Sequence, residues 1–286
     1  MKDYIKLMRV KHYIKNFIIF LPLLFSGKLF NISNFLNTFL SFIIFSITAS
    51  SIYIINDIKD KNKDVNHPKK KKRPIASGKI SIKNAIIFLI ILIIINITAI
   101  IFSKMNIKSL CLLLLYFVLN ILYSIKLKNY PIIDIVILAS GFVIRLLFGA
   151  SILDIEVSNW LLLTILTISF YMGLGKRRNE INSNKKNTRT VLKFYTNNFL
   201  DKNMYMFLAI TIVFYSLWST DPLMVEKTNN LLVWTVPMIM VLCMMYSLDI
   251  EKESDGDPIE VILSDKKLIF VSLLYALSII TIIYLL

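Results

Sequence analysis

Long apolar runs separated by short polar segments dominate the chain. Nine runs approach or reach the length of about 20 residues that a helix needs to cross a bilayer. They lie near 14–30, 35–55, 84–103, 108–124, 132–150, 159–175, 204–220, 231–248 and 267–286. The first is the weakest, because it is short and contains Pro22. Since such runs satisfy their backbone groups internally as helices, the pattern predicts an all-α integral membrane protein with nine transmembrane helices.

Composition supports the membrane assignment. Of the 286 residues 56% are hydrophobic and 18% are charged, whereas soluble domains average roughly 45–50% and about 25%. The mean hydropathy of +0.67 excludes a soluble globular protein. Both cysteines, Cys111 and Cys243, lie inside apolar runs, so neither a disulfide framework nor a cysteine metal cluster is expected. A cleavable signal peptide is not expected either, because the first run lacks a small-x-small site.

The net charge of +15 is distributed unevenly across the nine predicted spans. Of the 33 Lys and Arg residues, 28 lie in segments on one side, at 1–16, 56–83, 125–131, 176–203 and 249–267. The side richer in Lys and Arg is the cytoplasmic one. The pattern therefore predicts a multi-pass protein of the cytoplasmic (inner) membrane, with its N-terminus inside and its C-terminus outside. Because orientation accounts for the charge, no nucleic-acid partner is expected.

Three carboxylates follow the second run. Asp57, Asp60 and Asp64 are spaced i, i+3, i+7, and they share one face if the helix continues past Ile55. Their mutual repulsion is well offset by Mg²⁺, which binds one or two carboxylates together with waters and substrate phosphates. We therefore predict metal ligands among Asn56, Asp57, Asp60 and Asp64, with the three aspartates as catalytic residues. Solvated charges at a helix end, neutralised by interleaved lysines, are the alternative.

A basic stretch follows the acidic cluster directly. It runs from Lys69 to Arg73 and continues as Pro-Ile-Ala-Ser-Gly. A guanidinium such as that of Arg73 binds two phosphate oxygens at once. Acidic metal ligands beside a cationic patch of this size favour a metal–diphosphate site. His67, beside Pro68, is not expected to act as a ligand or a base.

These residues resemble the UbiA prenyltransferase superfamily. The motif N-D-x-x-D-x-x-x-D at 56–64 is followed by H-P and by R-P-I-A-S-G, and it lies at the end of the second of nine spans. The resemblance covers essentially the whole chain. It implies a single membrane domain over residues 1–286 that forms a UbiA-like bundle. A polar cleft facing the cytoplasm would lie between the loops near 56–83 and 176–203.

Four further segments are similar to the decaprenyl-phosphate phosphoribosyltransferase branch of that superfamily. They are M-R-V-K-H-Y-I-K-N at 8–16, Y-x4-K-x5-D at 123–134, G-F-x-x-R at 141–145 and G-K-R-x-x-E at 175–180. The first departs from the branch pattern L-R-P-x-Q-W-x-K-N, because Val10, His12 and Tyr13 replace Pro, Gln and Trp. These departures concern the opening helix and not the family resemblance.

The resemblance implies nine substrate-binding residues, namely Lys15, Asn16, Arg73, Tyr123, Lys128, Asp134, Arg145, Lys176 and Arg177. Simpler interpretations remain open for several of them. Lys15 is also typical of a side chain that anchors a helix at the interface. Asp134 is also typical of a helix cap, and Lys176 and Arg177 fit orientation alone. Arg145 lies inside a span, where a charge usually faces the bundle interior with a partner.

The loop after the sixth span indicates the donor. In the superfamily that this chain resembles, members that ionise a prenyl diphosphate carry a second aspartate motif in this loop. Here the loop has one acid, Glu180, and no aspartate before Asp201. So basic a loop suits phosphate groups better than a second metal. We therefore expect 5-phosphoribosyl 1-diphosphate as donor, a polyprenyl phosphate as acceptor, pyrophosphate as product and Mg²⁺ as cofactor.

Two other functions remain open. The first is transfer of a prenyl group from a diphosphate to an aromatic or lipid acceptor. The second is a non-enzymatic lipid transporter, which the lack of a clear internal repeat argues against. The acids near the last cytoplasmic loop (Glu253, Asp255, Asp257 and Glu260) are more typical of a solvated loop than of a second metal site. The sequence indicates neither the prenyl chain length nor the oligomeric state.

Overall fold

A computed structural model describes residues 1–66, 70–182, 190–251 and 257–286, and all regular structure in these ranges is helical. In chain order the helices are α1 (Lys2–Met8), α2 (Leu21–Phe25), α3 (Ile32–Lys59), α4 (Lys61–Val65), α5 (Ile82–Ser103), α6 (Ile107–Ile125), α7 (Ile133–Ile152), α8 (Asn159–Asn182), α9 (Asn197–Ser219), α10 (Pro222–Thr228), α11 (Val236–Glu251), α12 (Pro258–Ser264) and α13 (Lys266–Tyr284). Five 3₁₀ segments join them, at Val10–Phe20, Lys70–Lys72, Leu127–Asn129, Thr190–Phe194 and Leu231–Thr235.

The long apolar helices coincide with most of the predicted runs. Within the described ranges six are long and apolar enough to cross a membrane: α3, α5, α6, α7, α13 and the continuous stretch Leu231–Glu251. The pair α9 and α10, bent by 59°, adds a seventh if it is one span. Side chains of Asn31, Ser81, Asn106 and Thr196 accept hydrogen bonds from backbone N–H groups at the starts of α3, α5, α6 and α9, as N-capping residues do.

Two predicted runs are not among these candidate membrane-spanning helices. The first run is a 3₁₀ segment, Val10–Phe20, that continues into α2. Pro22 lies in the first turn of α2, where its missing N–H costs no hydrogen bond. The sixth run lies in α8, which is long enough but carries charged residues in its last turns, at 176–180. The count of nine crossings therefore stays a prediction.

Burial divides the helices into an inner and an outer set. In the most apolar 18-residue windows of α3 and α7, 67% and 61% of positions are buried, against 17%, 22% and 17% in α5, α6 and α13. The outer helices expose large apolar side chains such as Ile101 and Phe102. So much exposed apolar surface is unfavourable in water and suits the hydrocarbon of a bilayer. The inner helix α3 carries Asp57 and ends at Asp60, and the inner helix α7 carries Arg145.

The 3₁₀ segment lies directly against α7. A Cβ added at Gly149 would come within 2.1 Å of the backbone oxygen of Ile19, so only glycine permits this approach. We expect Gly149→Ala to destabilise the protein by more than about 2 kcal/mol, because overpacking exceeds the gain in helix propensity. Thermal unfolding in detergent measures the loss. Gly173→Ala in α8 is the matched control, since its nearest contact is a side-chain atom, Ile135 Cγ2 at 3.1 Å, which needs to shift by only a few tenths of an ångström. An equal loss in both variants would contradict this interpretation.

Candidate functional site

A cavity of about 840 Å³ opens between the 3₁₀ segment Val10–Phe20, α3, α6, α7 and the end of α8. Its described lining includes eight cationic side chains, namely Arg9, Lys15, Lys63, Lys70, Arg73, Lys128, Arg145 and Lys176. The carboxylates in that lining are those of Asp60, Asp64 and Asp257. A cleft lined by an excess of one charge attracts ligands of the opposite charge. The cavity is therefore suited to a strongly anionic ligand.

The acidic cluster lies at one end of the cavity, where α3 ends. Asp57 is buried in the last turns of α3, and its carboxylate accepts hydrogen bonds from Arg9 and Arg73. The same Arg73 Nη1 atom lies 3.0 Å from Asp57 Oδ1 and 2.5 Å from Asp64 Oδ2. A shared guanidinium therefore offsets the repulsion between two of the three carboxylates, whereas the sequence analysis assigned that role to a metal.

Asp60 takes a different partner. It ends α3 and precedes α4, and its Oδ2 atom lies 3.1 Å from Lys128 Nζ. Lys128 belongs to the 3₁₀ segment after α6, and Lys59 Nζ donates to the Ser124 carbonyl 3.1 Å away. These contacts join the end of α3 to the end of α6. They bring Lys128 into the cavity beside the acidic cluster.

The oxygen donors at this end match the ligands that Mg²⁺ prefers. Asn56, Asp60 and Asp64 line the cavity, whereas the buried Asp57 is not among the lining residues. Among the described residues no three His, Cys, Asp or Glu side chains are grouped closely enough to hold a metal ion. Because Mg²⁺ needs only one or two carboxylates and takes its other ligands from water and substrate phosphates, Asn56, Asp60 and Asp64 fit such an ion.

A second charged cluster lines the cavity near α12. Lys15 Nζ lies 3.2 Å and Lys176 Nζ 3.1 Å from the same oxygen of Asp257. His12 also lines the cavity, and its Nδ1 atom is buried without a hydrogen-bond partner among the described residues. Burial, together with the charge of Lys15, lowers the pKa of His12 to about 4 although Asp257 opposes this. The imidazole is therefore neutral at pH 7, and the cluster's positive charge comes from the two lysines.

Arg145 reaches the cavity from the interior of α7. Its Nε atom donates to Asn16 Oδ1 at 2.7 Å, Nη1 to the Gly141 carbonyl at 2.6 Å and Nη2 to the Tyr116 hydroxyl at 2.9 Å. The guanidinium also lies over the Tyr116 and Phe45 rings. Asn16 is itself buried and lies outside the cavity lining. Its position favours orienting Arg145 over touching a ligand.

Arg177 and Asp134 form a buried ion pair behind the cavity wall. Both side chains are 0% exposed, with Arg177 Nε 2.6 Å from Asp134 Oδ2. Arg177 also donates to Glu180 Oε2 at 2.7 Å and to the Tyr123 hydroxyl at 3.0 Å, and the Tyr195 hydroxyl donates to Asp134 at 2.6 Å. Of these five residues only Tyr123 lines the cavity. The arrangement favours Arg177 and Asp134 as residues that position Tyr123.

The sequence analysis missed several residues of the site. Arg9 and Tyr195 were not predicted, and Asp257 was assigned only to a solvated loop, although it holds two lysines inside the cavity. Glu180 lies three residues after Arg177 on the same helix, so spacing could have indicated that ion pair. The predictions for His67, for the basic loop at 183–189 and for Glu253 and Asp255 concern residues outside the described ranges.

Known proteins share sequence and fold with this chain. The model of the UbiA prenyltransferase family matches residues 17–274. A decaprenyl-phosphate phosphoribosyltransferase from Corynebacterium glutamicum is 29% identical over 98% of this chain and 86% of its own length. One from Mycolicibacterium smegmatis is 29% identical over 80% of this chain and 74% of its own length. In fold, the chain is similar to a UbiA homologue from Archaeoglobus fulgidus bound to GPP and Mg²⁺, with a TM-score of 0.70 and 20% identity over 98% and 99% of the two chains. The chain belongs to the UbiA prenyltransferase family.

Proposed function

We propose that this protein transfers the 5-phosphoribosyl group from 5-phosphoribosyl 1-diphosphate to a polyprenyl phosphate and releases pyrophosphate in a Mg²⁺-dependent reaction. The observation that carries the proposal is the excess of cationic over acidic side chains lining one cavity. The donor has three phosphoryl groups and the acceptor has a fourth, so both substrates are strongly anionic. The two relatives named decaprenyl-phosphate phosphoribosyltransferase support the same assignment.

The distribution of charge inside the cavity supports this donor over a prenyl diphosphate. A prenyl diphosphate with an uncharged acceptor brings one anionic group, which would occupy only one of the two charged clusters. The phosphoribosyl donor and a polyprenyl phosphate together bring several anionic groups, which suits a cavity with cations at several points. We assign its diphosphate to the cluster of Asp60, Asp64 and Arg73, with Lys128 beside it.

Asn56, Asp60 and Asp64 would hold Mg²⁺, which when bound supplies positive charge next to the diphosphate. Around it, Arg73 and Lys128 bind and orient phosphate oxygens, and Arg145 is held rigidly by its hydrogen bonds. Cations fixed in a poorly hydrated cleft stabilise the charge that develops on the leaving pyrophosphate. The acceptor's phosphate oxygen attacks the anomeric carbon as an anion already, so no general base is needed.

The membrane setting of the reaction is part of the proposal. The acceptor's tail stays in lipid while its phosphate enters the cavity from the side. We propose that the chain is one nine-span domain whose cavity and N-terminus face the cytoplasm. Most of the Lys and Arg residues lie in the segments on one side of the nine spans, and the side richer in these residues is the cytoplasmic one. On this orientation a water-soluble donor made in the cytoplasm reaches the site directly.

A transfer assay with purified protein in vesicles tests the function. We expect labelled 5-phosphoribosyl 1-diphosphate and polyprenyl phosphate to give a labelled lipid and pyrophosphate with Mg²⁺, and the yield to fall to background with excess chelator. A parallel reaction contains labelled prenyl diphosphate with aromatic and lipid acceptors. Product only in the parallel reaction would assign the protein to prenyl transfer. Product in neither would exclude both enzymatic functions for these substrates.

A further inference from the structure

Two ammonium groups in the cavity share one oxygen of the chain's own carboxylate. Lys15 belongs to the 3₁₀ segment Val10–Phe20, Lys176 to α8, and Asp257 directly precedes α12. Both Nζ atoms approach Asp257 Oδ2, at 3.2 and 3.1 Å. A single oxygen held between two ammonium groups has the geometry of a bound phosphate oxygen. All three side chains line the cavity.

The position of this cluster relates it to the lipid substrate. Ile14 and Phe17, which flank Lys15 in the sequence, are 38% and 57% exposed on the outside of the bundle. The 3₁₀ segment therefore presents an apolar outer surface next to a cationic inner one. The acidic cluster and Lys128 belong to other elements, at the ends of α3 and α6. A lipid whose tail lies against the apolar outer surface of this segment has Lys15 of the same segment available to bind its phosphate.

We propose that Lys15 and Lys176 form the subsite for the acceptor's phosphate, and that Asp257 occupies this subsite until the acceptor displaces it. The inference rests on the proposed function and deepens it. Asp257 acts here as an internal competitor: its carboxylate keeps the two ammonium groups together and neutralises part of their charge while the cavity is empty of acceptor. The acceptor must replace that contact in order to bind.

The carboxylate of Asp257 stays negatively charged throughout the neutral pH range. Burial alone would raise the pKa of its carboxyl, but the nearby Lys176, Lys15 and His12 outweigh burial and hold the pKa well below its usual range. The carboxylate is therefore ionised whenever the lysines are charged. Its backbone oxygen separately accepts from the Val261 N–H at 3.0 Å and so begins α12. A change of the side chain to an amide leaves that backbone contact in place.

The KM for the acceptor distinguishes two roles for Asp257, competition with the phosphate and support of the two lysines. If Asp257 only fixed the lysines or α12, an amide in its place would loosen the subsite and raise the KM for the acceptor. If it competes with the phosphate, the amide removes the competitor and the KM falls. Couplings of this kind are usually about 5-fold or larger. The sign of the change in KM therefore decides between the two roles.

The test compares wild type with Asp257→Asn in vesicles. We expect the KM for polyprenyl phosphate to fall roughly fivefold or more, with the KM for 5-phosphoribosyl 1-diphosphate unchanged. Glu260→Gln removes one negative charge at an exposed position of α12, three residues after Asp257. It is the matched control, and the KM values for both substrates should stay as in wild type. An unchanged or higher acceptor KM in Asp257→Asn, or a change confined to the donor KM, would overturn the proposal.

A binding measurement on purified protein without donor keeps this inference separate from the proposed function. Inorganic phosphate should bind Asp257→Asn at least about fivefold more tightly than wild type. Lys15→Gln should weaken the binding, and in the Lys15→Gln background Asp257→Asn should bring no gain, because the two side chains are coupled. If wild type binds phosphate in this way but forms no phosphoribosyl lipid, the proposed function fails alone. If the gain persists without Lys15, the inference fails alone.

Discussion

Asp60→Asn is expected to reduce Mg²⁺-dependent phosphoribosyl transfer by about 100-fold or more. Asp60 lines the cavity, ends α3 and pairs with Lys128 at 3.1 Å. An amide at this position keeps the size of the side chain but removes the negative charge that a divalent cation requires. The loss should appear in the turnover rate, measured as labelled lipid formed at saturating concentrations of both substrates and at the Mg²⁺ concentration that saturates the wild type. Raising the Mg²⁺ concentration should recover part of the activity if metal affinity is what was lost.

A matched variant separates this effect from a general loss of charge. Asp3→Asn in α1 removes a carboxylate that is 44% exposed and 3.8 Å from Lys79, outside the cavity lining. We expect it to leave turnover unchanged. Near-normal turnover in Asp60→Asn, with a normal unfolding temperature in both variants, would refute the assignment of a metal–diphosphate site to the end of α3.

Arg177→Met is expected to cost about 3–5 kcal/mol of stability, because it leaves the Asp134 carboxylate buried without its charged partner. Both side chains of this pair are 0% exposed, and Arg177 also holds Glu180 and Tyr123. The variant should unfold at a much lower temperature or fail to accumulate in the membrane. Thermal unfolding in detergent and expression level measure the effect.

The neighbouring residue offers the control for this prediction. Arg178 makes an ion pair with Asp201 at 2.5 Å, but the two side chains are 17% and 33% exposed. Partly exposed ion pairs contribute only about 0–1 kcal/mol, so Arg178→Met should unfold close to wild type. Comparable losses in the two variants would show that burial of the Arg177 pair is not what makes it important. In that case Arg177 would be open to a direct role in binding substrate.

The sequence predicts those parts of the fold that depend on residues close together in the chain. Helices form from hydrogen bonds four residues apart and insert by the apolarity of about 20 consecutive residues, so α3, α5, α6, α7 and α13 lie where the apolar runs predicted them. The first run is not a continuous α-helix but a 3₁₀ segment followed by α2. Its 3₁₀ segment packs closely against Gly149 in α7, a contact that no local pattern contains.

The sequence analysis named several residues that line the cavity but none of their pairings. The spacing of Asp57, Asp60 and Asp64 alone indicated a concentrated negative charge at the end of a helix, and the resemblance of motifs along the chain indicated the family.

Only the tertiary structure decided which charges neutralise one another. Asp57 pairs with Arg9 at a separation of 48 residues, Asp60 with Lys128 at 68, and Asp257 with Lys15 at 242. A carboxylate in a poorly hydrated cleft needs a partner within a few ångströms, and the packing of distant helices determines which cation is that near. For that reason the sequence by itself determined the helices, the membrane and the family, whereas packing determined that Arg177 supports the cavity wall and that Asp257 lies between two lysines.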